Sequence, residues 1–429
     1  MSQVTTPVRL GRIERAFIIA SLCYLLDAFY PIYLTYTGAL GRDEIAYNLG
    51  QSDPVQSALY LTIYAVSAAA FFFRAELRPV LRAAPAAFVV VAIAALSTLW
   101  SVDPETSFRR AIALGGVTTF AFYLAARVTV SELIDLLAQT LRIILVASVL
   151  YYLVSPEAAT MAEPHLGAWR GVLRHKNGLG WVASLGLLVF YYLAVQGRAR
   201  TKNVCFAALS VVLVLLSESA SSIAITALIL GLDLVIAALQ RVSGRFYFGY
   251  AVAIILLAGA AVLLWDEMLD LLGRDASLTG RTDVWTYALE AAAQRPLFGY
   301  GYGSFWEAGN ARAAYIWLML EWEFTHAHNG WIETLLELGL VGVTAVGATV
   351  GQAMIRCLAA VRFGRLAHAR FLLQLLNLVL ISNLSESGLA QYNDFGWMII
   401  LTVAAILGRY AAARRSGALA PPEAAPAKA

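Results

Sequence analysis

ASSIAITALILGLDLVIAAL, residues 220–239, carries one ionisable side chain, Asp233, in a run long enough to cross a bilayer. A hydrocarbon core of about 30 Å needs about 20 mostly apolar residues of helix. Runs of the same kind lie at 16–36, 55–73, 84–100, 109–126, 133–154, 178–195, 203–218, 246–265, 329–356, 368–384 and 393–412. The reading is therefore an all-α, polytopic integral membrane protein of about twelve transmembrane helices. Composition agrees: 60% of residues are hydrophobic, 14% are charged and the mean hydropathy is +0.69. A soluble chain of that kind would expose more apolar surface than water tolerates. Continuous apolar runs, rather than alternating ten-residue segments, exclude a membrane β-barrel.

The first run follows Arg9, Arg12 and Arg15 and lacks an A-x-A-like cleavage site, so it reads as a retained signal-anchor. Cys23, Cys205 and Cys357 fall in or beside apolar runs, which argues against a disulfide or zinc framework. A net charge of +3 does not suggest nucleic-acid binding. With the N-terminus placed in the cytoplasm, twenty of the 31 Lys and Arg residues fall on the inner side. They cluster at Arg74/Arg78/Arg82, Arg198/Arg200/Lys202, Arg356/Arg362/Arg365/Arg370 and Arg414/Arg415. The positive-inside tendency then puts both termini in the cytoplasm. Four regions follow: spans one to nine over 1–265, with an outer loop at 155–177; a long outer loop at 266–328; spans ten to twelve over 329–412; and a disordered tail at 413–429.

Chemistry concentrates in the outer loops, which hold four of the five histidines. AWRGVLRHKNGLG, residues 168–180, packs Arg170, Arg174, His175 and Lys176 beside Asn177 and Gly178, where a helix begins. Arginine forks, a lysine point charge and a helix N-terminus together suit phosphate or pyrophosphate; contact with anionic lipid headgroups is the simpler alternative. GRTDVWTYALEAAAQRPLFGYGYGSFW, residues 280–306, reads as a helix capped by Thr282, with Val284, Trp285, Ala288 and Leu289 on one face. Pro296 stops it and the glycines of GYGYG serve turns. The helix is expected on the membrane surface or the outer face of the protein. Arg281 precedes it and could aim at a phosphate, or simply pair with Asp283.

EFTHAHNGWIETLLELGLVG, residues 323–342, ends the loop with His326 and His328 and opens the tenth span with Glu333 and Glu337 four apart. His328 is positioned to accept a proton from a hydroxyl near neutral pH, or else to complete the helix start. His326 is expected to point elsewhere around the chain. A His326/His328 metal pair with Glu323 lacks a recognised ligand spacing, so the reading here is no metal.

RHKNGLG, GRTDVW…RPLFGYGYGSF and HAHNGWIETLLELGLVG, in that order, resemble the bacterial superfamily of O-antigen ligases and O-antigen or exopolysaccharide polymerases. The resemblance spans about 165 to 390. It implies a bacterial inner-membrane glycosyltransferase without cofactor, working on the periplasmic side among membrane lipids. The donor would be an undecaprenyl-pyrophosphate-linked oligosaccharide and the acceptor a glycan or lipid A-core hydroxyl. By motif, His328 matches the family histidine and Arg281 a family arginine. Ligases also carry an arginine in a Ser-Arg segment between two spans; SESASSIA, residues 217–224, has none. That absence, and the RHKN form of the first motif, favour a polymerase over a ligase. The site read from these segments is His328 and Glu333 for proton transfer, and Arg281, Arg174, Arg170, Lys176 and His175 for the pyrophosphate.

Two other classes remain open. A secondary transporter would use intramembrane Asp27, Arg142 or Asp233, and a scaffold protein would tolerate loss of His328. Sidedness is testable directly: Ser277→Cys should react with an impermeant thiol reagent in cells with a permeabilised outer membrane, and Ser243→Cys should not. The opposite pattern would move the outer loops to the cytoplasm.

Overall fold

A computed structural model describes residues 10–29, 32–33, 54–162, 165–240, 246–263, 281–321, 323–364, 366 and 368–415. The first part of the long outer loop, the tail beyond 415 and the labelling positions Ser243 and Ser277 lie outside the described residues. The architecture is all-α, and no strand occurs among the described residues. A helix overlaps each of the apolar runs, in the first only its leading half: α1 Arg12–Leu25, α2 Pro54–Phe73, α3 Pro85–Leu96, α4 Pro104–Arg127, α5 Val130–Val154, α6 Lys176–Val195, α7 Arg200–Leu216, α8 Ala220–Leu239, α9 Phe246–Leu263, α12 Gly330–Arg362, α13 Ala369–Ser382 and α14 Phe395–Arg415. Six of them, α2, α5, α6, α8, α12 and α14, are long and apolar enough to cross a membrane by themselves. Two more, α10 Arg281–Gln294 and α11 Ala311–Leu320, belong to the long loop at 266–328.

The helices pack around α14, whose residues from Phe395 to Gly408 are all buried. A helix apolar on every side suits a membrane span or a protein interior, and α14 takes the interior position. Large side chains at the periphery, including Leu153, Leu234, Phe248 and Ile355, stay exposed as a lipid-facing surface. Ion pairs mark the two ends. At one end Arg127 clamps Glu14 at 2.6 and 2.8 Å and Arg198 meets Asp135 at 2.8 Å, with Arg370 on Asp233. At the other, Arg174 meets Asp27 at 2.5 Å, Arg110 meets Glu307 at 2.8 Å and Arg281 faces Glu386 at 3.5 Å. Asp27 and Asp233 are thus tied up at opposite ends, and Arg142 donates to Asn203 in the first turn of α7. The three transporter candidates form no common midplane cluster.

The α12 helix is not continuous. At Gly339 (φ 63°, ψ −164°) the backbone leaves helical geometry, in a region open essentially to glycine alone. The break releases backbone groups that the segment after α10 takes up. Tyr300 and Gly301 donate to the carbonyls of Leu336 and Glu337 at 2.8 and 2.9 Å, while Leu340 and Val341 donate to those of Pro296 and Leu297 at 2.8 and 3.2 Å. Every orphaned polar group named here finds a protein partner, which is the condition for irregular backbone at membrane depth. A side chain at Gly299 would strike the Leu336 carbonyl, and one at Gly339 the Leu297 backbone. The glycines of GYGYG therefore serve a tight turn and a close approach to α12.

On this dock sits a small second core of Val284, Ala288, Ala292, Phe305, Ile316 and Leu336. It corrects the expected face of α10 in one respect. Leu289 is exposed, and Ala291 and Ala292 are buried in its place, because α10 packs its alanine face on α12. Gly339→Ala should destabilise the fold by about 1–3 kcal/mol from backbone strain alone, with the steric overlap adding to it. Thermal unfolding of the purified protein in detergent would measure this; an unchanged midpoint would show that the break is dispensable.

Candidate functional site

Local folding rules place the residues of the three motifs. His175 caps α6, its Nδ1 accepting from the Asn177 amide at 3.2 Å. Arg281 is the first residue of α10. Asn329 caps α12, its side chain accepting from the amides of Trp331 and Ile332 at 3.0 and 3.2 Å. Three helix N-termini, with their positive dipole ends, thus open toward the same end of the bundle. His328, just before the cap, has a left-handed backbone (φ 52°), and that turn folds its ring onto His326. Ring centroids are 4.1 Å apart. The expectation that His326 points elsewhere is thereby corrected.

The connection between α13 and α14 completes the site. Gly330 donates to the Asn383 carbonyl at 2.9 Å, and Asn329 donates to Ser387 Oγ at 3.0 Å. A Cβ at Gly330 would collide with Asn383, so glycine is what lets this connection reach the HNG turn. Glu386 is carried in with it. Its Oε1 accepts from Asn177 Nδ2 at 3.3 Å and faces Arg281 Nη2 at 3.5 Å. One carboxylate thus joins the first and second motifs beside the third. Sequence reasoning missed it, because SNLSESG offers only a lone glutamate in a polar connection.

Electrostatics follow from this crowding. Burial, reinforced by His326, Arg281 and His175, pushes His328 down to about 2. Burial and Arg281 push His326 to about 4, and burial with His165, Lys176, Arg170 and Arg281 pushes His175 to about 3. In each ring burial acts first and the neighbouring groups second, and both favour the neutral imidazole; the Arg281 guanidinium beside them is the group that favours an anion.

The other expected residues are turned to different tasks. Arg170 is 1% exposed, donating to the carbonyl of Ala158 at 2.9 Å and to that of Arg174 at 3.3 Å, so it braces the loop from beneath. Arg174 pairs with Asp27. Lys176 reaches the Glu218 carbonyl at 3.3 Å, tying α6 to the serine-rich turn of SESASSIA. In that turn Ser219 caps α8. Glu333 is buried, with Oε1 accepting from Trp306 Nε1 at 2.9 Å and Oε2 from the Ala327 amide at 2.5 Å. Both oxygens hold the loop that carries His326 and His328, which makes Glu333 a positioning group. Glu337, one turn on, accepts from Gln391 at 3.2 and 3.3 Å.

A family model described as O-antigen ligase matches residues 204–347, a span that contains Arg281, His326, His328 and the break at Gly339. The chain is also 29% identical over 281 residues to the exopolysaccharide production protein ExoQ of Rhizobium meliloti (strain 1021). That match covers 60% of this chain and 61% of the relative, so the chain spans about three fifths of the relative's length. Both findings support the superfamily of O-antigen ligases and polysaccharide polymerases.

The bracing role of Arg170 is open to test. Arg170→Ala removes charge-assisted bonds to two carbonyls and should cost about 1.5–3 kcal/mol of stability, read as a lower unfolding midpoint in detergent. An unchanged midpoint, with anion binding lost, would return Arg170 to the binding site.

Proposed function

We propose that this protein transfers an undecaprenyl-pyrophosphate-linked saccharide onto a glycan hydroxyl at its outer face, as an exopolysaccharide or O-antigen polymerase. One observation carries the reading: His175, Arg281 and His328, from three distant segments, share one neutral-imidazole, cation-rich site at the mouth of the bundle. The exopolysaccharide role printed for the relative, and the missing arginine in SESASSIA, favour a polymerase. The description of the matching family model favours the second reading, a ligase whose acceptor is lipid A-core.

The chemistry has two demands. As the bond from the anomeric carbon to the pyrophosphate oxygen breaks, its electron pair leaves with the pyrophosphate, and the growing charge must be met by fixed donors. Arg281 supplies a planar fork, and the N-terminus of α6 adds amides. The acceptor oxygen meanwhile bonds to the same carbon and gives up its proton to His328. Attack opposite the leaving group inverts that carbon. Burial is the main cause that holds His328 down, with Arg281 and the neighbouring rings adding to it; an incoming pyrophosphate offsets the added part, so donor binding raises its basicity when the proton must move. The polyprenyl tail has an apolar groove of about 520 Å³ to occupy, lined by Ala16, Ile19, Cys23 and Tyr24 and reaching Ala28 and Phe29, next to Asp27.

Purified protein given lipid-linked oligosaccharide alone should build a ladder; product only with added lipid A-core would select the ligase reading. His328→Ala should cut transfer by about 10²–10⁴-fold while leaving expression and donor binding intact. Arg281→Lys should keep the fold and lose most turnover, since a fork becomes a point charge. The direction of the His328 shift gives a pH test. Because the imidazolium is disfavoured, the base form persists as pH falls through 6.5, and the acid limb of kcat/KM should lie below that value. A limb at or above 6.5 would point to another base. A chelator should not lower the rate.

A further inference from the structure

His326 and one oxygen of Glu386 have no part in that chemistry, yet both stand against the base. One ligand atom each from His326, His328 and Glu386 lies within 4.8 Å of the others. The three side chains are all half-buried, so the group is neither sealed nor spread over the surface. Two imidazole nitrogens and one carboxylate oxygen form a donor set suited to zinc, with a fourth position left for water or a phosphate oxygen. Ligands at 2.0–2.1 Å around a tetrahedral ion stand about 3.3 Å apart, so separations of up to 4.8 Å need to close by up to about 1.5 Å.

The surroundings permit this. Thr325 Oγ1 lies 3.2 Å from His326 Nδ1, which leaves Nε2 as the ligating atom. The Oε1 atom of Glu386 is engaged by Asn177 and faces Arg281, whereas Oε2 has no hydrogen bond among the described residues. That interaction orients the carboxylate in the manner of the outer partners that fix metal ligands. The sequence reading set a metal aside, with Glu323 as the third group weighed; the structure instead brings Glu386, from a segment some sixty residues later, beside the two histidines. The left-handed turn at His328 is what sets the two rings side by side.

We propose that His326, His328 and Glu386 form a site for a zinc-class divalent cation whose binding switches the transferase off. The ion takes the His328 lone pair that the acceptor proton needs, and it draws Glu386 away from Arg281. The off-switch rests on the reading of His328 as the base; the site itself rests on the three side chains alone. Magnesium, which prefers oxygen ligands in an octahedral shell, lacks a matching donor set here.

The test uses full-length protein purified in detergent and stripped of metal. Zinc is titrated against a chromophoric competitor to read binding, and into the ladder assay to read inhibition. One zinc per chain is expected, with inhibition reversed by chelator and not reproduced by magnesium. His326→Asn should keep most of its turnover, while its zinc affinity and zinc sensitivity both fall by at least about tenfold. Glu386→Gln should weaken zinc binding in the same direction. No stoichiometric zinc on the unmodified chain, or zinc inhibition unchanged in His326→Asn, would overturn the proposal. Zinc bound through these residues by a protein that makes no ladder and modifies no lipid A-core would uphold the site and sink the transferase reading instead.

Discussion

The geometry of the whole outer end hangs on the interruption of α12 at Gly339. An unbroken helix would have consumed the carbonyls of Leu336 and Glu337 and the amides of Leu340 and Val341 internally. Because it is interrupted, residues 296–301 bond into the gap. That docking fixes the end of α10, and with it the direction from which Arg281 enters. It also seats Phe305 and Trp306, and the Trp306 indole holds the Glu333 carboxylate whose other oxygen holds Ala327, between the two histidines. A backbone irregularity within a membrane span thus reaches the His328 ring through a short series of directional bonds.

The electrostatic design is a site that stays cation-rich without accumulating protons. Arg281 brings a guanidinium, and three helix N-termini add partial positive charge. Imidazoles placed there cannot share the charge, so they remain proton acceptors. Glu386 is the counterweight. It lies close enough to Arg281 to orient the guanidinium, at a separation of 3.5 Å that leaves the fork accessible to another anion.

The sequence conveyed the spans well, since a membrane helix advertises itself by apolar length alone. It conveyed less where length fails. The ten residues of α11 are too few to register, and Gly339 sits in LELGLVG, which reads as uninterrupted helix. His328, Arg281 and His175 were legible as motifs, because helix starts and polar loops are local patterns. Their partners were not. Glu386, the Trp306 contact that makes Glu333 a brace and the Ala158 carbonyl that claims Arg170 are all set by tertiary packing. The facing of His326 onto His328 depended on one backbone dihedral that histidine only occasionally adopts.

The burial of α14 on every side bears on how the protein is made. Among the described helices α14 comes latest in chain order, yet it occupies the middle of the bundle. Until it has been synthesised, the helices that will surround it can close only around a gap, or pack on one another in arrangements that must later yield. Its buried face from Phe395 to Gly408 has no lipid-exposed side to guide it, so it must enter laterally through a seam among helices already in the membrane. The interior of the bundle is therefore filled only after most of its surroundings have been made, from the outside inward, and the groups that line that seam must leave room for α14.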